Sequence, residues 1–178
     1  MRLFISIPLS SEINACLKNL QSAIQSEHAK MNPAGSFHLT LKFLGEVDEG
    51  KLASIKDRLS TVSFRPFKLM LDKIGVFSNY NFIRVIWVGV EPNEPVIELQ
   101  RRVDDALSGL FPKDSRFHPH ITLARVSFVK DKAQYRSILE RAKVEKMAFS
   151  ANGFELMKST LAPNGPVYET LGKFPKVL

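Results

Sequence analysis

The chain has 178 residues, 44% apolar and 24% charged, a composition typical of a folded globular protein and far from that of disordered chains. Its single cysteine, Cys16, excludes an internal disulfide framework and offers no zinc site. Lysine and arginine exceed aspartate and glutamate by 25 to 18, and the net charge of +7 favours anionic partners such as nucleic acid or phosphorylated molecules. Because the N-terminus lacks a signal-peptide pattern and no apolar stretch approaches the roughly twenty residues of a membrane span, we expect a soluble, cytoplasmic protein.

The first part of the chain predicts a strand, a helix and a loop. RLFISI at 2–7 alternates and is rich in β-forming residues, and Ser10 or Ser11 can cap the helix that follows. MNPAGS at 31–36 indicates a loop that leads into the strand FHLTLKFLG. A second helix is predicted after Asp48, a candidate cap.

The rest of the chain predicts a hairpin, two helices and three further strand-like segments. The hairpin joins 67–77 to 83–90 through the polar turn 78–81, and Pro95 lies in the first turn of a helix that ends near Gly109. The remaining predicted segments are a strand HITLARVSF from 120, a helix from about Asp131 to Ala142, and strands within 146–158 and 167–174.

Two of the four histidines occur in the same pattern, His-apolar-Thr-apolar. Aligning His38 with His120, an offset of 82 residues, also aligns Thr40 with Thr122, and in both copies a helix begins about ten residues later. This short internal repeat predicts two matching strand–helix units related by an approximate two-fold axis.

Strand geometry gives each copy of the pattern a polar and an apolar face. Because alternate side chains of a strand point to opposite faces, His38 and Thr40 share one face while Leu39, Leu41 and Phe43 share the other, which we expect in the core. His120 and Thr122 pair in the same way. Strict alternation then places Arg125 on the face opposite His120, unless the strand bends.

A single His-x-Thr pattern is commonly just the polar face of a half-buried sheet. Two copies in matching contexts favour a paired acid–base site, since one imidazole can accept a proton while the other donates one. Displacement at phosphorus needs both, and threonine hydroxyls two residues further on can donate hydrogen bonds to phosphoryl oxygens. Such a site needs no metal, and no group of side chains in the sequence has metal-ligand spacing.

HLTLKFLG at 38–45 and FHPHITLAR at 117–125 closely resemble the two signatures of the 2H phosphoesterases. The resemblance is in particular to the bacterial and archaeal RNA 2′,3′-cyclic phosphodiesterases first named 2′-5′ RNA ligases. It covers nearly the whole chain, including RLFISIPLS at the start and IGVFSNYNFIRVIWVGV at 74–90.

The resemblance implies an α+β fold over residues 1–178: a single domain of two pseudo-symmetric lobes, each an antiparallel sheet with outer helices, around a central cleft. It implies hydrolysis of a ribose 2′,3′-cyclic phosphate to a 2′-phosphomonoester without metal or cofactor. His38 would protonate the departing 3′ oxygen and His120 would activate water. Thr40 and Thr122 would bind the phosphate, and Arg125 matches an arginine that often follows the second signature.

The expected partner is an RNA with a 2′,3′-cyclic phosphate end or a small cyclic nucleotide, bound by a monomer away from membranes. Two alternatives stay open: the reverse reaction, which joins RNA ends through a 2′-5′ linkage, and a module that binds RNA ends or nucleotides without turnover. Where the family often has a tryptophan or other bulky residue before the first signature, this chain has MNPAGSF, so we expect it to hold the nucleoside differently.

Several other side chains near the signatures have two interpretations. Lys42 either adds positive charge to the cleft or is simply solvated, and His118 lines the cleft or faces solvent. Three aromatic residues can stack a base, although a core role is favoured for the first and last: Phe77, Tyr80 and Trp87.

Overall fold

The computed structural model describes residues 1–79, 82–163 and 165–175, so Tyr80 and Asn81 of the predicted turn lie outside the described residues. In chain order the elements are β1 (Arg2–Ile7), α1 (Ser11–Ala23), β2 (Ala29–Pro33), β3 (Leu39–Glu46), α2 (Leu52–Ser60), β4 (Phe67–Asn79), β5 (Phe82–Glu91), α3 (Glu94–Ala106), β6 (His120–Val129), α4 (Lys132–Arg141), β7 (Ala148–Ala151), β8 (Phe154–Ala162) and β9 (Gly165–Phe174).

The helices begin where the sequence offers caps. The Ser10 hydroxyl accepts a hydrogen bond from the backbone N–H of Ile13 at the start of α1, and Asp131 accepts one from Gln134 at the start of α4. Asp48 caps a short 3-10 turn that continues into α2, and Pro95 lies in the first turn of α3. The four predicted helices are therefore confirmed.

Every strand pairing in the described residues is antiparallel, in the order β7-β4-β5-β6-β3-β1-β8-β9, with β2 also against β6. The two halves of this sheet meet where β3 pairs with β6, through the one residue pair Leu39–Ile121. The repeat recurs in the elements, since β1, α1, β3 and α2 match β5, α3, β6 and α4 in order. The predicted α+β fold with two pseudo-symmetric halves is confirmed, and its two antiparallel sheets are continuous through this pair.

Two segments differ from the sequence prediction. Residues 31–33 of the predicted loop 31–36 belong to strand β2, because β3 leaves β6 after Ile121 and the backbone of 124–129 takes β2 as its partner. The segment 146–158 contains two strands: β7 pairs with β4 in one half, and β8 pairs with β1 in the other.

The core lies between the sheet and the helices. Helix α1 contacts β6 of the other half of the sheet, and α3 contacts β3, so the helices cross between the halves. Fully buried side chains on these elements include Ile5, Ile13, Leu17, Leu39, Leu41, Val96, Val103, Ile121 and Leu123. None of the described helices has the length and apolar character needed to cross a membrane.

Candidate active site

The two His-x-Thr strands meet at the Leu39–Ile121 pair. In an antiparallel register, the residues on either side of this pair are also neighbours, which sets His38 beside Thr122 and Thr40 beside His120. Leu39 and Ile121 are fully buried in the core, so the four polar side chains share the opposite face of the sheet. The approximate two-fold axis relating the halves passes through this pair.

His38 is packed between two aromatic rings. Its ring centroid lies 4.8 Å from that of Phe4 and 5.4 Å from that of Tyr168, which meets it edge-on. Burial, together with the nearby charge of His120, lowers the pKa of His38 to about 4. In the ligand-free molecule His38 is therefore neutral at neutral pH.

His120 is oriented by a backbone hydrogen bond. Its Nδ1 lies 2.7 Å from the carbonyl oxygen of His118, and Phe77 packs edge-on against the ring at 4.8 Å. Because a carbonyl accepts only, Nδ1 carries the proton and the neutral ring keeps Nε2 free to accept one. Burial lowers the pKa of His120, the charges of His118 and Arg125 add to this, and the hydrogen bond to the carbonyl opposes it.

The floor of the site is polar and recessed. Thr40 is 8% exposed and pairs across the strands with Ser6, which is 2% exposed. Thr122 is half-buried beside Trp87 on the neighbouring strand. Hydroxyls at this depth can donate hydrogen bonds to a phosphoryl group that water reaches poorly.

A β-bulge resolves the position of Arg125. Trp87 faces Thr122 and Ile86 faces Ala124, so Leu123 is the extra residue of β6. The bulge reverses the alternation and returns Arg125 to the face of His120. The Arg125 charge lowers the pKa of His120 and opposes the rise that burial gives the pKa of Tyr168, which indicates that the guanidinium lies near both.

The Leu123 carbonyl at this bulge is held by two donors. The buried amide of Gln21 on α1 donates to it at 2.8 Å, and the backbone N–H of Ala34 donates at the same distance. Helix α1 of one half thereby fixes a strand of the other.

An equivalent bulge in β3 overturns two expectations. Ser6 faces Thr40 and Ile5 faces Lys42, so Leu41 is the extra residue. Phe43 is consequently 64% exposed and does not lie in the core with Leu39 and Leu41; its ring lies 6.2 Å from that of Phe4, on the histidine face.

Lys42 is neither in the cleft nor solvated. It is 3% exposed, and its Nζ lies 2.6 Å from a carboxylate oxygen of Asp104 on α3 and donates to the carbonyl of Pro112 at 2.8 Å. The bulge turns this side chain away from the histidines and towards the helix layer.

The remaining aromatic candidates surround His120. His118 is exposed, and its ring lies 4.8 Å from that of Trp87, which also packs against Phe77 at 5.2 Å. Any side chain at Gly75 would overlap the Trp87 ring, so glycine permits this arrangement. Phe77 and Trp87 are half-buried and line the His120 side of the site as well as packing against each other.

Sequence reasoning missed three side chains of the site: Phe4, Ser6 and Tyr168. Ser6 carried a signal, since it is a polar residue between Ile5 and Ile7 in a strand that is otherwise apolar after Arg2. Tyr168 comes from β9, and nothing in its local sequence indicates that it reaches His38. In the part of the chain that the structure describes, no group of three or more His, Cys, Asp or Glu side chains could hold a metal ion.

A duplicated α+β fold whose equivalent strands each present a His-x-Thr pattern at one seam is the architecture of a two-histidine phosphoesterase. The LigT-like phosphoesterase family matches this chain twice, over residues 5–87 and again over 88–168, in agreement with the repeat. The chain belongs to this family of the 2H superfamily, and the prediction of a phosphoesterase of that superfamily is confirmed.

Full-length relatives support the assignment. An RNA 2′,3′-cyclic phosphodiesterase of Methanocaldococcus jannaschii is 39% identical over 96% of this chain and 98% of its own length, and one of Archaeoglobus fulgidus is 33% identical over 98% and 99%. Among solved structures, TT0787 of Thermus thermophilus superposes with a TM-score of 0.75 at 31% identity, covering 98% of this chain and 97% of that one. E. coli LigT complexed with 3′-AMP has a TM-score of 0.75 at 26% identity, covering 97% and 95%.

Proposed function

We propose that this protein hydrolyses RNA 2′,3′-cyclic phosphate ends to 2′-phosphomonoesters. The observation that carries the proposal is the meeting of His38 and His120, each followed by a threonine, on one face at the Leu39–Ile121 pair. The relatives named RNA 2′,3′-cyclic phosphodiesterase support the substrate class. The E. coli LigT complex with 3′-AMP supports a nucleotide ligand.

The reaction assigns one role to each side chain. His120 accepts a proton at Nε2 from water, whose oxygen attacks phosphorus, and the P–O3′ bond breaks on the opposite side. His38 gives its proton to O3′, and the 2′-phosphate remains on the ribose. Thr40 and Thr122 donate hydrogen bonds to the non-bridging oxygens, where negative charge gathers, and the Arg125 guanidinium balances that charge.

The donor role of His38 requires a proton that it lacks in the empty site. With its pKa at about 4, His38 needs a neighbouring anion that stabilises the imidazolium in order to be protonated at neutral pH. A bound cyclic phosphate supplies one negative charge beside the ring and raises the pKa of His38. Substrate binding and proton loading of the acid are therefore coupled.

The test is incubation of the protein with a short RNA ending in a 2′,3′-cyclic phosphate, in excess EDTA. We expect the wild type to form the 2′-phosphomonoester, and the His38→Ala and His120→Ala variants each to lose at least about 100-fold in kcat/KM, as for loss of a general acid or base. Arg141→Ala, which removes an exposed arginine of α4, is the matched control and keeps wild-type rates.

Other outcomes would point elsewhere. Undiminished activity in either histidine variant would contradict the two-histidine assignment, and loss of activity in EDTA would contradict a metal-independent mechanism. Tight binding of the RNA without any product would favour a binding module. A 2′-5′ linked product, formed when an RNA with a 5′-hydroxyl is added, would show that the same site also runs the reverse reaction.

A further inference from the structure

A groove lies between helix α4 and the β4–β5 hairpin, on the face of the hairpin that is turned away from the histidines. Val76 of β4 pairs with Ile86, which is fully buried in the core, so both side chains lie on the face that carries the helices. Val76 itself is 38% exposed, because α4 covers this face only in part. The groove has a volume of about 390 Å³, within the range of roughly 300–1,000 Å³ that is typical of ligand pockets.

The groove has apolar walls and cations beside them. Its apolar side chains come from both strands of the hairpin and from α4, and include Val76, Ile83 and Leu139. Lys132 and Arg136, one turn apart on α4, also line it and are exposed, together with the carboxylate of Glu140. We call this cavity the α4 groove.

Phe82 holds two cations at the α4 groove. The Lys132 Nζ lies 4.5 Å from the centroid of the Phe82 ring, and the guanidinium carbon of Arg84 lies 5.9 Å from it. In the part of the chain that the structure describes, no carboxylate lies within ion-pair distance of Arg84, Lys132 or Arg136. These cations are therefore available to an anionic ligand.

Positive charge continues from the α4 groove to the reaction centre. Arg125 lies near His120 and pairs across the strands with Val85 of β5. The next residue towards the end of the hairpin is Arg84, which is exposed and contacts Phe82. A row of cations therefore runs from the histidines along β5 to α4.

The chemistry of the α4 groove and of this row fits a single-stranded RNA. Each nucleotide offers a phosphate to the cations and an unstacked base to the apolar walls. An acidic peptide would also satisfy the cations. RNA is favoured because the row of cations leads to the reaction centre, where the proposed function places an RNA end.

The distance along β5 determines which substrates can reach the α4 groove. Trp87 faces Thr122 in the reaction centre, and Phe82 lies further along the same strand, about 16 Å away at about 3.3 Å per residue. A cyclic mononucleotide occupies the reaction centre alone. An RNA of several nucleotides can occupy both places.

We propose that the α4 groove binds the single-stranded RNA segment that precedes the cyclic phosphate, with Arg84, Lys132 and Arg136 at its phosphates and a base against the apolar walls. This proposal rests on the proposed function. Because the groove is remote from the reacting atoms, it stabilises the bound RNA equally before and during the reaction. It therefore lowers KM for RNA and leaves kcat unchanged.

The test compares a long and a short substrate. Wild type and the double variant Lys132→Gln/Arg136→Gln are assayed with an RNA of about ten nucleotides ending in a 2′,3′-cyclic phosphate and with adenosine 2′,3′-cyclic phosphate. We expect the double variant to raise KM for the RNA about tenfold with kcat unchanged, and to leave both constants for the mononucleotide unchanged. Val76→Asp, which places a carboxylate in the wall of the groove, should act in the same way.

A matched double variant controls for the loss of net charge. Lys51→Gln/Arg101→Gln also removes two exposed cations, but neither lines the α4 groove. It should keep the wild-type KM for both substrates.

Salt dependence tests for direct phosphate contacts. Affinity for the product RNA, which ends in a 2′-phosphate, is measured by fluorescence anisotropy over a range of KCl concentrations. For single strands the slope of log affinity against log salt changes by about 0.7 for each phosphate contact. We expect the slope of Lys132→Gln/Arg136→Gln to be shallower than that of wild type by about 1.4, and the slope of the control to be unchanged.

The same rise in KM on both substrates, or no rise on the RNA, would overturn the role of the α4 groove. A rise as large in the control variant, or an unaltered salt slope, would overturn it too. If a hexaglutamate peptide bound wild type and not the double variant, while RNA affinity stayed the same, the groove would be a site for an acidic protein. Absence of wild-type turnover on both substrates would instead contradict the proposed function, so the two failures are distinguishable.

Discussion

At the residue scale, the two imidazoles are tuned by apolar packing. His38 lies between the rings of Phe4 and Tyr168, and His120 lies against Phe77. Burial is the first cause of the lowered pKa of each. Both histidines are therefore mainly neutral in the empty site at neutral pH. In the proposed mechanism this leaves His120 able to accept a proton, whereas His38 gains its proton when the substrate binds.

This predicts an acid-shifted pH profile. The site is competent when the pair carries one proton: below the lower apparent pKa both rings are protonated and no base remains, and above the higher both are neutral and no acid remains. Since the pKa of each lies below 6.5 in the free protein, we expect a bell-shaped kcat/KM with its maximum below that pH. A plateau from there to pH 8 in steady-state kinetics would contradict it.

At the element scale, the site depends on two bulges at equivalent places, with Leu41 and Leu123 as the extra residues. Each bulge turns the second residue after it towards the histidines, Phe43 in one strand and Arg125 in the other. The second bulge is held from outside the strand by Gln21, which is fully buried and whose amide also donates to the carbonyl of Ala34. The Gln21 amide therefore stabilises the bulge that places Arg125 in the site.

We expect Gln21→Ala to affect both stability and catalysis. It removes two donors from buried carbonyls, which costs about 1–3 kcal/mol in the free energy of unfolding. Because the Leu123 bulge loosens, Arg125 is less well placed, and kcat/KM falls while the pH profile stays bell-shaped. Urea unfolding and steady-state kinetics check this, with Ser22→Ala, which removes an exposed hydrogen bond of the same helix, as the control. Wild-type stability in Gln21→Ala would refute the anchoring role.

The sequence predicts the periodic elements well and the bulges not at all. The helices and strands can be predicted from apolar spacing and capping residues. The repeated His-x-Thr pattern is enough to predict that His38, Thr40, His120 and Thr122 lie in one site. Strict alternation fails at Phe43 and Arg125 because one extra residue reverses every later side chain, and a bulge leaves no mark in a single sequence. Tyr168 is brought to His38 by strand pairing across distant segments, which local patterns do not encode.

At the scale of the whole molecule, the helices tie the halves together. Helix α1 contacts β6 and helix α3 contacts β3, so each helix packs against a strand of the other half. The ion pair between Lys42 of β3 and Asp104 of α3 is buried at both ends, with side-chain exposures of 2% and 6%, and Asp104 also accepts a hydrogen bond from Gln100 at 2.8 Å. We therefore propose that residues 1–178 are a single domain that unfolds as one unit.

Breaking the buried ion pair tests whether the two halves unfold together. Lys42→Met leaves the Asp104 carboxylate buried without its cation, and we expect a loss of about 3–5 kcal/mol in the free energy of unfolding. Adding Asp104→Leu should recover part of that loss. Unfolding in urea should give coincident transitions by fluorescence of Trp87, the chain's single tryptophan, and by far-ultraviolet circular dichroism; separated transitions would show two independent lobes.

The single pair Leu39–Ile121 on the two-fold axis has a consequence for how such a site can be built at all. Two identical half-length chains related by the same axis could assemble the four-residue array of histidines and threonines, since symmetry would supply the second copy of each. Such a homodimer would be indifferent to the direction of its ligand. In a single chain the two halves can differ in sequence, as they do at Phe43 and Arg125. The site is therefore asymmetric, and its two ends are chemically different.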